Sequence, residues 1–207
     1  MDTTFYIVRH GETEANVRKI LQGHKDYALT EKGIQQAKEV AVKLKHTHFD
    51  KIFSSDLLRA KKTAGLLLLE HKIAIETTKR LRERSFGKYE GKPYEYTDPD
   101  LDKLMKKYNT LSRKEQFRFN RYRKETESDE ELSSRMLTFL RELAVTYRGK
   151  TILIVSHGGI MGATLRKLFG FDEGKINHVS VKNLAYFRLR SDGIDFFVEE
   201  TSGIEIG

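Results

Sequence analysis

The 207-residue sequence has no cysteine and only two prolines, Pro93 and Pro99. Without cysteine there is no disulfide, no thiolate ligand for a metal and no cysteine nucleophile. The start, Met1-Asp2-Thr3-Thr4, has no basic stretch ahead of an apolar one. It leads into Phe5-Tyr6-Ile7-Val8, too short for a signal core or a membrane span and better read as a strand. The expectation is a cytoplasmic protein without membrane contact. Acid is the scarcer charge: 38 Lys/Arg face 30 Asp/Glu, a net +8. The excess concentrates at residues 101–124, where nine basic residues oppose only Asp102 and Glu115, a local +7. Such a field attracts anions, small phosphate esters or nucleic acid alike.

What is present alternates between strand and helix. Lys51-Ile52-Phe53-Ser54-Ser55 reads as a second strand, Ile73-Ala74-Ile75 as the start of a third, and residues 151–155 as the strongest of all. Thr30 is placed to cap a helix in which Ile34, Ala37, Val40, Ala41 and Leu44 recur at helical spacing. A second helix is expected from Ser55-Asp56 through the run 64–69. A third spans 132–147, with Asp129, Glu130 and Glu131 at its favourable N-terminal end. Another follows residue 155 and runs to Leu168. Two short extended pieces, 185–189 and 196–198, close the chain. The alternation predicts an α/β fold with a mostly parallel sheet flanked by helices. It is expected to form one domain over 1–207, with residues 92–127 inserted as a helical lid.

One internal echo carries the chemistry. Ile7-Val8-Arg9-His10-Gly11 and Ile154-Val155-Ser156-His157-Gly158 both spell Ile-Val-x-His-Gly. Each is an apolar strand ending in a histidine at a glycine turn. Parallel strands present their carboxyl ends on one sheet edge, where ligands bind, so two imidazoles can face each other there. A metal needs further ligands. There is no His-Glu-x-x-His run, and His46 and His48 sit at a polar helix end. Arg9 beside His10 ill suits a metal and suits a phosphate, whose oxygens match the guanidinium fork. Neutral imidazole is a competent nucleophile near pH 7. No metal site and no cofactor is expected.

Arg9-His10-Gly11-Glu12-Thr13, with Asn16 behind it, resembles the signature of the histidine phosphatase superfamily, in the branch that includes cofactor-dependent phosphoglycerate mutases. The resemblance continues through residues 29–37, Ser54-Ser55-Asp56-Leu57-Leu58-Arg59-Ala60, residues 81–91 and Val155-Ser156-His157-Gly158-Gly159. It implies a phosphoglycerate mutase-like fold and assigns roles. His10 becomes the phosphohistidine. His157 stabilises charge on the phosphoryl group from the other side. Arg9 and Arg59 complete the clamp. Asn16, Gln22, Gly23 and Gly158 match positions at the phosphate or substrate. Glu83 protonates the leaving alkoxide and then activates water. Its neighbours Arg82 and Arg84 would favour the ionised form, the wrong state for a donor. If residues 81–84 are extended, both turn away from Glu83.

Other motifs fall short. Gly149-Lys150-Thr151 lacks the first P-loop glycine, since position 144 is alanine, and has helix and strand in the reverse order. The glycines at 158, 159 and 162 lack dinucleotide spacing, and Ile154 stands where a hydrolase elbow needs glycine. Arg118-Phe119-Asn120-Arg121-Tyr122-Arg123-Lys124 interleaves aromatics with cations, as single-strand nucleic-acid binders do. A lid whose aromatics pack inward is the favoured reading, and a nucleic-acid-binding module the alternative. Mutases of the resembling branch carry an Arg-Arg pair and a proline run in the insertion, both lacking here. The expected function is therefore a phosphatase of small phosphorylated metabolites, phosphosugar or phosphoglycerate-like, with a mutase as the rival. The oligomeric state is left open.

Overall fold

The computed structural model describes residues 1–68, 73–120 and 126–207. In chain order, the elements are β1 (Thr3–Arg9), α1 (Glu14–Val17), α2 (Glu31–Leu44), β2 (Lys51–Ser55), α3 (Leu58–Leu67) and β3 (Ile75–Thr78), then α4 (Pro99–Thr110), α5 (Arg113–Arg118), α6 (Asp129–Thr146), β4 (Thr151–Ser156), α7 (Gly158–Leu168), β5 (Val179–Ser191) and β6 (Phe196–Ile206). Short 3-10 turns occupy Lys79–Leu81, Gly87–Tyr89 and Phe171–Glu173.

The strands form one sheet in the order β3-β2-β4-β1-β5-β6. The first four named in that order run parallel; β5 and β6 run antiparallel at one edge. The central strands β1 and β4 are buried on both faces, which is why they read as continuous apolar runs rather than alternating ones. One core joins Phe5, Ile7, Ile152 and Ile154 to Leu132, Met136, Leu140 of α6 and Ile160, Met161 of α7. The other joins Val8, Leu153 and Val155 to Ala37 and Val40 of α2 and Ala60 and Ala64 of α3. The sheet is thus covered by helices on both faces, the expected α/β architecture.

Local chemistry sets the helix ends. Thr30 accepts from the Gly33 amide at 2.9 Å, the expected cap. Ser128 and Glu131 form a reciprocal capping box that opens α6 three residues earlier than the apolar pattern alone marks. Three expected boundaries shift. Helix α3 begins at Leu58 and ends at Leu67, and β3 begins at Ile75; Leu69, at the end of the expected run, lies outside the described residues. The two closing strands are far longer than their apolar cores at 185–189 and 196–198, because backbone pairing between β5 and β6 extends through polar and charged positions. The inserted segment holds α4 and α5, with Phe117 buried and in ring contact with Phe171 at 6.3 Å. Arg121, Tyr122, Arg123 and Lys124, on which half of the basic aromatic motif rests, lie outside the described residues.

Candidate active site

Strands β1 and β4 are in register, Arg9 opposite Ser156, so the residues that follow them emerge side by side. His10 and His157 meet there with ring centroids 5.1 Å apart and planes at 61°. The His10 amide bonds the Ser156 carbonyl at 3.0 Å, tying the two strand ends together. Both rings are buried.

The Nδ1 of His10 lies 2.8 Å from the Gly11 carbonyl oxygen. A carbonyl only accepts, so Nδ1 carries the hydrogen and the lone pair belongs to Nε2, a tautomer assigned from geometry. Burial, with Arg9 and Arg59 adding repulsion, holds the His10 imidazole well below the usual histidine range, so the ring is neutral and nucleophilic. Asn183, on β5, donates its Nδ2 to the His10 carbonyl and to the Asn16 Oδ1, each at 3.2 Å. The amide and hydroxyl of Thr13 also donate to that Oδ1, so the Asn16 carboxamide is held by its oxygen. Burial also drives His157 well below its ordinary value, with Arg59, His10 and Arg9 as further causes. Neither of its ring nitrogens has a hydrogen-bond partner among the described residues.

Arg59 stands in the first turn of α3 and is 1% exposed. Its Nη2 bonds the Gly23 carbonyl at 2.7 Å and its Nη1 the Lys25 carbonyl at 2.9 Å. Arg9 bonds the Val181 carbonyl at 2.6 Å through Nη1. The Nε of each guanidinium, like the Gln22 Oε1, is buried without a partner among the described residues. Leaving such groups unpaired costs about 1–3 kcal/mol each, a cost that an anion able to reach the guanidinium groups relieves. Burial lowers the pKa of both arginines, and Glu83 opposes the shift in both cases; guanidinium stays charged at any ordinary pH.

Glu83 faces this group from the loop after the Lys79–Leu81 turn. Leu81 closes that turn and Arg82 after it is extended, so the condition of an extended 81–84 is met only in part. Both arginines turn from Glu83, and each is drawn toward an acid. Arg82 forks onto Asp56 at 2.7 and 2.6 Å. Arg84 is buried against Asp129, which Arg166 also meets at 3.0 Å. The Glu83 carboxylate accepts from the Arg84 and Gly159 amides, both at 2.8 Å. A Cβ on Gly159 would fall 2.3 Å from Glu83 Oε1, and one on Gly158 would fall 3.1 Å from Arg9 Nε. The glycine pair after His157 lets an acid and a base approach the first turn of α7.

One cleft of about 440 Å³ is lined by Arg9, His10, Asn16, Gln22, Gly23, Arg59, Glu83 and Gly158, all expected from the sequence. His157, fully buried with its ring 5.1 Å from that of His10, is not on the lining surface. Leu21, Phe86, Tyr94, Gly159 and Val181 also line the cleft and are additions to the expected set. Only Gly159 has a local signal, the doubled glycine; the rest arrive through long-range packing. No group of three or more His, Cys, Asp or Glu that could hold a metal occurs among the described residues. No described helix is long and apolar enough to cross a membrane.

Comparison with known proteins places this geometry. A family model for the histidine phosphatase superfamily (branch 1) matches residues 5–202. A probable phosphoglycerate mutase GpmB of Yersinia pestis (strain Pestoides F) is 33% identical over 184 residues, 89% of this chain and 83% of the relative. Among solved structures, a phosphoglycerate mutase from Bacillus anthracis str. Sterne superposes with TM-score 0.81 at 27% identity, covering 98% of this chain and 93% of the other. A phosphoserine phosphatase from Entamoeba histolytica, in complex with 3-phosphoglyceric acid, does so with TM-score 0.77 at 26% identity over 96% of each chain.

Proposed function

The chain belongs to the histidine phosphatase superfamily, branch 1, and on that premise we propose that it is a phosphoric monoester hydrolase working through a phosphohistidine at His10. One observation carries this reading: a buried imidazole whose Nδ1 faces the Gly11 carbonyl lines a cleft shared with two buried guanidinium groups.

The chemistry follows from the placement. Arg9 and Arg59, with Asn16 and the Gln22-Gly23 turn, hold the phosphate oxygens. His10 Nε2 attacks phosphorus and the bond to the alcohol oxygen breaks. Glu83, in its acid form, gives that oxygen a proton, and the alcohol leaves. Water then attacks phosphohistidine, losing a proton to the Glu83 carboxylate as the P–N bond breaks. Phosphate departs and both residues are restored. His157 donates toward the equatorial oxygens, where charge is spread in the transition state. No metal is assigned a step: the two guanidinium groups supply the positive charge and the His157 ring a hydrogen-bond donor.

A mutase is the second reading, favoured by the names of the Yersinia and Bacillus proteins. It requires phosphohistidine to outlast water until a second hydroxyl arrives. The insertion here lacks the Arg-Arg pair and proline run of the mutases it resembles, which supports hydrolysis. Within the segment offered as a nucleic-acid platform, Phe119 packs on Tyr108 and Arg118 pairs with Glu130 at 2.9 Å, which supports an inward-packed insertion instead.

The test is a product assay on the purified protein with phosphate monoesters. Phosphate release should far outrun 2-/3-phosphoglycerate interconversion, even with 2,3-bisphosphoglycerate supplied. Faster interconversion than release would put the mutase reading in its place. Salt-sensitive binding of single-stranded RNA without ester turnover would favour the binding module.

A further inference from the structure

The leaving-group half of the cleft has a chemical character that the phosphate half lacks. Beyond the groups assigned to the phosphate and to proton transfer, the lining consists of Leu21, Phe86, Tyr94 and Val181, with the backbone of Gly159. Phe86 and Val181 are half-buried, and Tyr94 is 51% exposed at the mouth. Among the described residues, the only charged side chains on the lining are Arg9, Arg59 and Glu83.

Several cations close by in sequence are committed elsewhere. Lys182, next to Val181, pairs with Glu205 at 2.5 Å. Lys25 donates to the Glu90 carbonyl at 2.8 Å. Lys88 pairs with Asp98 at 3.3 Å, and Lys92 lies over the Tyr96 ring at 5.0 Å. Arg84 and Arg166 are spent on Asp129.

Glu83 sharpens the consequence. As the proton donor it must stand beside the leaving oxygen, so the first carbons of the alcohol lie next to a carboxyl group. A second carboxylate there meets Glu83 and apolar side chains, while the cations on the lining, Arg9 and Arg59, are engaged by the phosphate. Burying a charge in such surroundings is costly, whereas an apolar ring gains from contact with Phe86, Val181 and Leu21. The cleft volume of about 440 Å³ falls within the about 300–1,000 Å³ typical of small-molecule sites.

Resting on the phosphatase reading above, we propose that this site prefers phosphate monoesters of alcohols with an apolar or aromatic body and discriminates against esters that carry a carboxylate. This departs from the phosphosugar or phosphoglycerate-like substrate expected from the sequence and from the phosphoglycerate and phosphoserine named for the relatives.

The test compares primary alkyl esters with similar leaving groups: benzyl phosphate, glycerol 3-phosphate, 3-phosphoglycerate and O-phosphoserine. Benzyl phosphate should exceed 3-phosphoglycerate in kcat/KM by about 100-fold, the upper range for pocket contacts of this kind. Glycerol 3-phosphate should fall between, which separates the penalty of charge from the loss of the ring. Replacing Phe86 and Tyr94 together with alanine should lower kcat/KM for benzyl phosphate about tenfold, chiefly through KM, and leave that for glycerol 3-phosphate nearly unchanged. Val181→Lys, which adds a cation at the mouth, should raise turnover of 3-phosphoglycerate. If wild-type protein hydrolysed 3-phosphoglycerate or phosphoserine as well as benzyl phosphate, the inference would fall and the phosphatase reading would stand. If none of the four esters released phosphate, the phosphatase reading itself would fall, and the inference with it.

Discussion

The Nδ1 of His10 points at the carbonyl oxygen of Gly11, 2.8 Å away, and this one contact decides which ring nitrogen is the nucleophile. His10→Ala should therefore lose nearly all turnover while keeping the fold. Brief exposure of the wild type to a labelled phosphate ester should leave acid-labile phosphate on His10. An alanine variant with a tenth of wild-type activity would rule out the covalent step.

The Glu83 carboxylate accepts from two backbone amides and faces the cleft that Arg9 and Arg59 line. General acid catalysis contributes about 10²–10⁴-fold, and Glu83→Gln should cost that much on an alkyl phosphate. On p-nitrophenyl phosphate, whose leaving group needs little protonation, formation of the phosphoenzyme should suffer far less. Rapid-quench measurement of that step on both substrates checks the point; equal losses would remove Glu83 as the donor.

Gly159→Ala offers a milder version of the same experiment. The added Cβ would fall 2.3 Å from Glu83 Oε1, at the far end of a side chain able to move. The variant should fold and melt nearly as the wild type does. Its kinetics should copy Glu83→Gln, with alkyl esters slowed and p-nitrophenyl phosphate spared. A variant with normal alkyl-ester rates would show that the Glu83–Gly159 approach is not needed.

Acid should weaken the ligand-free protein. His10 and His157 both titrate well below their ordinary value in the folded state. Below pH about 6.5 the unfolded chain takes up protons that the folded one refuses. Stability is full above that pH and falls as pH drops below it, by up to about 1.4 kcal/mol per pH unit for each histidine. Denaturant titrations at pH 5.5 and 7.5, in phosphate-free buffer, should show the loss; equal stabilities would refute it. Because a dianion favours the imidazolium form, phosphate binding near neutral pH should take up protons, measurable by calorimetry in buffers of different ionisation enthalpy.

Chelation should leave the rate unchanged. Arg9 and Arg59 supply the fixed positive charge at the cleft floor. Vanadate should inhibit as a mimic of the five-coordinate transition state. Activity lost to EDTA and restored by zinc or magnesium would overturn the scheme.

The parallel core of the fold is legible in the sequence because its strands are buried on both faces and need little help from neighbours to be recognised. The repeated Ile-Val-x-His-Gly pattern goes further: two like strands, each ending in histidine, suffice to bring His10 and His157 to one edge. The outer strands are not legible in full. β5 passes through Lys182, Asn183, Arg188 and Arg190, and is interrupted by a bulge at which Leu184 adopts φ +56°, so the alternation on either side does not join into one pattern. Asn183 at that bulge, which holds both His10 and Asn16, has no sequence signal. Arg82 and Arg84 turn away from Glu83 as expected, although residues 81–84 are extended only in part. Each is drawn toward an acidic partner, and Asp56 and Asp129 lie 26 and 45 residues away in sequence. The apolar mouth is invisible in the sequence because Leu21, Phe86, Tyr94 and Val181 converge only through the tertiary fold.

The position of β1 inside the sheet bears on how the chain matures during synthesis. Its two neighbours, β4 and β5, belong to residues 151–191, so β1 is left without a sheet partner until those residues have emerged. At about 5–20 residues per second, that interval lasts roughly 7–30 s. Phe5, Ile7 and Val8, fully buried in the finished sheet, lack their β4 and β5 neighbours throughout it. A ribosome-bound fragment lacking residues 151–191 should thus expose an apolar strand, attract chaperones and show no phosphatase activity. His10 is thus translated well over a hundred residues before the strands that flank β1 and complete its surroundings.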